Sequence, residues 1–300
     1  MTAVMNRQEF ANKNFNLIME LQGVDEFKTV IERLRIFQQN KEKYSVPDVT
    51  LPNYLWIAKR GGGISTCINA FAEYLYNAKV IEFSGIVKYF EYKLAYIDPE
   101  TFFSELTRLN NTISEIAGHH RYFRGLACIN IDDWAEHTNE QYFYKFLDYI
   151  ASKNDKILAI LYVHTDNKRI VESIESSLSS RIRFESISMR FPNVSELIEF
   201  IEAKYFKKRG FRLTDDAKSL LTDSLEGIIN GKHFNGFTTI KQLANDILYS
   251  LLASNISGYD ISADMLCGFN KDSVYIKRIK TFVGTSSTIG FVPSLEDYSR

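Results

Sequence analysis

Ala58-Lys-Arg-Gly-Gly-Gly-Ile-Ser-Thr66 lies between an apolar segment, Tyr54-Leu-Trp-Ile57, and an amphipathic one, Cys67-Ile-Asn-Ala-Phe-Ala-Glu-Tyr-Leu75. Strand, glycine-rich turn and helix in that order are the setting of a phosphate-binding loop, which reads G-x-x-x-x-G-K-[ST]. Gly61 and Gly63 stand in the glycine core and Ser65 supplies the hydroxyl. Ala58 replaces the first glycine, and Ile64 occupies the lysine position. The stretch has the shape of a nucleotide site without the cation that grips the nucleotide.

The text on either side places this turn in an α/β protein. Upstream, apolar residues from Leu17 to Leu34 recur at helical spacing, with a break at Gly23, and Pro47 ends the pattern. Downstream, Lys79-Val-Ile-Glu-Phe-Ser84 reads as a second strand, and Ile86 to Ile97 is aromatic with no clear period. Asp98-Pro99-Glu100 is a strong helix start, for a helix running to about Gly118. Leu126 to Ile131 and Lys156 to Val163 are short apolar runs of the kind found in buried parallel strands. Glu140 to Ala151 is helical, and Arg181 to Phe184 followed by Ser186 to Met189 completes the alternation. The expected fold is a parallel sheet sandwiched by helices, in which ligands sit at the carboxyl ends of the strands. The glycine turn, Asp132-Asp133 and His164-Thr165 all fall there, from three separate strands. The expected organisation is a helical segment over 1–48, an α/β core over 49–190, a small all-α lid over 191–265 and a tail over 266–300. The tail carries Lys277, Arg278 and Lys280 and ends in Gly-, Ser- and Thr-rich text around Ile289-Gly-Phe291.

Composition narrows the class. The chain of 300 residues is 45% hydrophobic, with 22 Phe and 17 Tyr, enough for a sizeable core. With 36 basic and 37 acidic residues, a net charge of -1 argues against a nucleic-acid partner at the level of the whole chain, though it says nothing of local patches. Cys67, Cys128 and Cys267 are odd in number and far apart, which reads as the reduced thiols of a cytoplasmic protein. The first residues lack a signal-type apolar core, and no run approaches the roughly 18 apolar residues of a membrane span.

In order and spacing, six segments resemble the AAA+ ATPases, most closely the branch that contains stage V sporulation protein K and the red-type Rubisco activase. Leu21-Gln-Gly-Val-Asp-Glu-Phe-Lys28 with Val30-Ile-Glu-Arg-Leu34 is similar to the opening helix of that branch. Ala58 to Thr66 fits its phosphate loop, and Ile129-Asn-Ile-Asp-Asp133 fits its Walker B strand. Leu178-Ser-Ser-Arg-Ile182 fits its L-x-SRF segment. Phe191-Pro-Asn-Val-Ser-Glu-Leu197 and Phe234-Asn-Gly-Phe-Thr-Thr-Ile240 fit its lid motifs. A generic phosphate-loop fold outside that family is the alternative.

The resemblance implies a site for ATP or ADP with Mg2+. Backbone N–H groups of Gly61, Gly62, Gly63, Ile64, Ser65 and Thr66 would cradle phosphate at a helix start. Ser65 and Asp132 would hold magnesium. Asp133 stands where the family has a water-activating Glu, one methylene short of its reach. Thr165, after His164, falls at the sensor-1 position, and the sensor-2 arginine aligns with Thr238. Arg181 matches the finger that reaches a neighbouring subunit's nucleotide. Bland readings stand beside these: a solvated turn for Asp132-Asp133, a post-strand turn for Thr165, a surface arginine in a polar turn for Arg181. Ile64 lacks the charge-assisted bond a lysine makes, a loss of about 1.5–3 kcal/mol. Lys59 and Arg60 are the nearby cations. His119-His120-Arg121 reads as a solvated helix end rather than a metal site. Tyr89-Phe-Glu-Tyr92 falls near the family's aromatic pore loop, with core packing the safer reading.

With Ile64 for Lys, Thr238 for Arg and Asp133 for Glu, the expectation is a non-catalytic scaffold or regulatory subunit. It would work with a protein partner or in an AAA+ homo- or hetero-oligomer. The alternative is a divergent but active ATPase that remodels a protein substrate. A nucleic-acid-handling protein is a third class, disfavoured by the balanced charge.

Overall fold

The computed structural model describes residues 7–44, 50–80, 89–94, 99–117, 125–138, 140–231, 234–253 and 258–268. The chain divides into two compact units, one ending at Phe191 and one beginning at Pro192. His119-His120-Arg121 and the tail segment Ile289-Gly-Phe291 lie outside the described residues.

The first unit opens with α1 (Arg7–Met19) and α2 (Asp25–Tyr44). Gly23 separates them at φ 74°, a left-handed conformation that suits glycine and breaks the helix. Then follow β1 (Asn53–Ala58), α3 (Ile64–Asn77), β2 (Tyr89–Lys93), α4 (Pro99–Ala117), β3 (Gly125–Asn130), α5 (Gln141–Ala151), β4 (Ile157–His164), α6 (Lys168–Ser179) and β5 (Phe184–Met189). The five strands form one parallel sheet in the order β2-β3-β4-β1-β5.

That order dictates the layers. The crossover from β1 to β2 runs one way across the sheet, and the later crossovers run back the other way. Because such crossovers are right-handed, α3 lies on one face and α4, α5 and α6 on the other. The two cores agree. Trp56, Leu126, Cys128, Leu158 and Ile160 pack with Phe27 of α2 and Phe71 of α3. Leu55, Ile57, Ile129, Leu161 and Val163 pack with Phe102 of α4, Phe146 of α5 and Ile174 of α6. Neighbouring residues of one strand thus serve opposite layers, as a pleat buried on both faces requires.

At the sheet edge, α2 covers β5. Glu26 Oε2 accepts the Ser188 backbone N–H at 2.6 Å, and Arg33 pairs with Glu185. This occupies one edge amide and sets charge beside the strand, both of which oppose further strand pairing.

Of the expected strand over Lys79–Ser84, residues 81–84 lie outside the described residues, and the first two residues belong to the turn that closes α3. Lys79 has φ 54°, and the Val80 N–H reaches back to the Leu75 carbonyl at 3.0 Å while the Lys79 N–H reaches Tyr76. This six-to-one closure ends α3, with Val80 folded into the core. Among the described residues, the next strand is β2, inside the aromatic stretch at Tyr89–Lys93.

The second unit contains α7 (Val194–Ile201), β6 (Arg212–Leu213), α8 (Asp215–Ile229), α9 (Gly236–Ala253), β7 (Asp260–Ile261) and α10 (Ala263–Gly268). Asn193 caps α7 reciprocally with Glu196, a capping box. The unit is mostly helical, but β6 and β7 pair in parallel, so it is not all-α.

Candidate functional site

The strand order creates a switch point. The chain leaves β1 toward the α3 face and leaves β4, its neighbour, toward the α6 face, and it is beyond the carboxyl ends of such strands that sheets of this kind place a ligand. His164 stands in register with Ala58 at that end. By strand alternation its side chain lies on the α3 side.

The turn itself is tightly wound. Gly61 and Gly63 have φ of 77° and 93°, where other residues are strained. Gly62 donates to the Lys59 carbonyl at 2.9 Å. A Cβ on Gly62 would meet that carbonyl at 2.8 Å and the Ala58 Cβ at 3.2 Å. Helix α3 then starts at Ile64 with no side-chain cap. Ile64 itself is 3% exposed and packs into the α3-side core, so the lysine position points into protein. Ser65 and Thr66 are exposed. Lys59 pairs with Asp166 at 2.8 Å, tying the turn to the loop after β4.

Asp132 begins a 3-10 turn, Asp132–Trp134, just past β3. Both of its carboxylate oxygens are engaged by one residue. The His164 backbone N–H donates to Oδ1 at 2.7 Å, and His164 Nδ1 lies 2.8 Å from Oδ2. The Asp132 N–H in turn donates to Asn130 Oδ1 at 3.1 Å. Burial on its own raises the Asp132 carboxyl, but the His164 ring and backbone N–H, with Asn130, outweigh it and hold it at about 2. Nearby Tyr162, which meets the His164 ring edge-on, is pushed up to about 12, chiefly by burial and then by Glu91 and other acidic neighbours.

The remaining expected residues are dispersed. Asp133 pairs with Lys93, at the end of β2, at 3.0 Å. Thr165 uses its hydroxyl to accept the Asn167 N–H at 3.1 Å, a local turn leading into α6. Arg181 is bound within its own unit, to Asp148 at 3.1 Å and over the Tyr144 ring at 5.1 Å. Thr238 lies in α9 of the second unit. Tyr92, of the aromatic pore-loop candidate, hydrogen-bonds Glu105 and sits under Arg108, which is packing.

The structure thus brings together the glycine turn, His164 and Asp132 around the β1 and β4 ends, while Asp133, Thr165 and Arg181 each spend their polar groups elsewhere. The sequence points to Thr165 for the sensor role and does not single out Lys93, Asp166 or the bond between Asp132 and His164. The signal for that bond is the register of a polar residue ending β4 beside one following β3.

The fit to Mg2+ and a triphosphate is poor on the side chains present. The uncapped α3 start can still offer N–H groups to an anion. Ile64 offers no cation, and Asp132 has two of its roughly four acceptor sites taken by His164. No family model matches the chain, and no curated protein matches it closely enough to count as a relative.

Proposed function

We propose that this chain is a degenerate AAA+-type protein that does not hydrolyse ATP and serves as a scaffold or regulatory subunit for a protein partner. The observation that carries this reading is the capture of Asp132 by His164. The carboxylate that would orient magnesium is part of the protein's own hydrogen bonding, and the lysine position of the glycine turn is buried Ile64. The order β2-β3-β4-β1-β5, with the glycine turn after β1 and the acid after β3, supports the family part of the reading. The buried thiols of Cys67 and Cys128 suit a reducing cytoplasm.

One observation favours the second reading, a residual nucleotide-binding ATPase. The two left-handed glycines and the uncapped start of α3 retain an anion-shaped cradle.

Calorimetry with ATP and ADP plus magnesium, with a turnover assay on the same full-length sample, separates the two. The first reading expects no saturable heat up to about 1 mM nucleotide and no turnover. Turnover that disappears in Asp132→Ala would overturn it in favour of the second.

A further inference from the structure

The second unit carries a charge concentration unrelated to the glycine turn. Lys204, Lys207, Lys208, Arg209 and Arg212 fall within nine residues, and no acid occurs between Glu202 and Asp215. Local winding displays these cations. Helix α7 widens into a π-helical turn over Glu202–Phe206 and tightens into a 3-10 turn over Lys207–Arg209. Gly210 then reverses the chain at φ 83°. Such changes of winding re-aim side chains that a regular helix would spread around its axis.

Not all five charges are free. Lys207 and Lys218 both approach Glu202 at 3.5 Å, and Arg212 pairs with Asp260 at 3.1 Å. Arg209 donates to the Tyr205 carbonyl at 2.8 Å, which orients the guanidinium without neutralising it. Among the described residues, no acid pairs with Lys204 or Lys208, and both are exposed. Three uncompensated cations therefore lie within six residues, across these two consecutive turns.

That stretch ends beside an aromatic pair. Strands β6 and β7 pair Arg212 with Asp260, so the residues just before them, Phe211 and Tyr259, come side by side. Their ring centroids are 6.0 Å apart. A Cβ built on Gly210 would lie 3.4 Å from the Tyr259 ring, so the residue that ends the cationic stretch lies beside that ring. Tyr259 is nevertheless 65% exposed.

We propose that the stretch Lys204–Arg209 and the Tyr259–Phe211 pair form a binding surface for single-stranded nucleic acid. The cations Lys204, Lys208 and Arg209 would hold phosphates, and the open face of Tyr259 would stack a base. Cations alone would serve an acidic peptide or an anionic membrane equally. The exposed ring beside them adds affinity for a planar base and little for a carboxylate or a headgroup. The near-zero net charge of the chain conceals this patch, because acids elsewhere balance the sum.

Fluorescence anisotropy of the full-length chain with labelled oligothymidylate and oligouridylate of about 12 nucleotides tests the surface. Three phosphate contacts give a slope of log K against log salt of about -2 for a single strand. The double variant K204A/K208A removes two of the three contacts and is expected to flatten that slope to about -0.7 and weaken binding roughly tenfold or more at low salt. Tyr259→Ala is expected to weaken binding about fivefold or more, Tyr259→Phe to restore it, and an abasic oligomer to be blind to Tyr259→Ala. Binding of either oligonucleotide with this pattern supports the proposal, and the tighter one identifies the source as DNA or RNA. Equal binding of an abasic oligomer, equal competition by oligoglutamate, or tighter binding to phosphatidylserine vesicles would overturn it. Lys208→Glu, on an exposed turn, keeps the test valid should Tyr259→Ala misfold, and unchanged affinity in that variant would also overturn the proposal.

Discussion

Asp132→Asn isolates the contact on which the site reading turns. Asparagine keeps one carbonyl oxygen, so one of the two His164 N–H groups retains its acceptor, and the other faces an amide. The depression of the carboxyl from 3.8 to about 2 corresponds to roughly 2 kcal/mol once its partial exposure is discounted. The sign follows from the direction. The fold favours the charged carboxylate, so its stabilisation is complete above the unfolded value near 4 and is lost as pH falls toward about 2. Asp132→Asn is therefore expected to lower stability by about 2 kcal/mol at neutral pH, with the gap to wild type closing between about pH 4 and 2. The chain's two tryptophans, Trp56 and Trp134, both lie in the first unit, so urea unfolding followed by their fluorescence reads the unit that holds the contact. A gap under about 0.5 kcal/mol at pH 7, or one that does not change on acidification, would refute the assignment. A double-mutant cycle with His164→Gln should return most of the effect as coupling.

Other residues carry independent expectations. Asn53 is 3% exposed and accepts the Ala159 N–H at 2.9 Å while donating to Asn154. Asn53→Ala leaves that buried amide unpaired and should cost about 2–3 kcal/mol in the same urea assay. Gly63→Ala forces a side chain to φ 93° and should cost about 1–2 kcal/mol, read as a lowered Tm. Ile64→Lys puts an ammonium where a 3%-exposed isoleucine packs, so a loss of about 2–4 kcal/mol is expected, with no gain of ATP binding by calorimetry. A wild-type Tm together with new ATP binding would instead show a cradle lacking only its cation. Arg181→Ala breaks an exposed pair with Asp148 and should change stability by no more than about 1 kcal/mol, with a double-mutant cycle coupling of the same size.

The fold was legible where burial leaves a pattern. The runs at β1, β3 and β4 are apolar on both faces, which a soluble chain needs only in a covered parallel sheet, and Pro99 marks the start of α4. The strand β2 was not legible, because Tyr89–Lys93 lies in an aromatic stretch without a clear period, and the end of α3 was not, because Lys79 takes a left-handed conformation that its residue type does not announce. Likewise, β6 and β7 are two residues each, and their pairing depends on tertiary contact rather than period.

The site divides along a related line. Backbone-determined features of the turn were readable, because glycine is favoured where φ turns positive and required where a Cβ would clash. Gly61, Gly62 and Gly63 meet those demands by sterics alone, since the chain must reverse from β1 onto the α3 face within five residues. A phosphate is not needed to explain them. The residues that discriminate are those whose side chains have a choice of direction, and that choice is set by neighbours distant in sequence. Ile64 turns into the core and Asp132 turns to a histidine 32 residues away. The glycine run thus reports the shape of the turn, and Asp132, through its partner, reports whether its carboxylate is available to a ligand. For that reason the acid-dependence of Asp132→Asn tests the functional reading more directly than any substitution in the glycines.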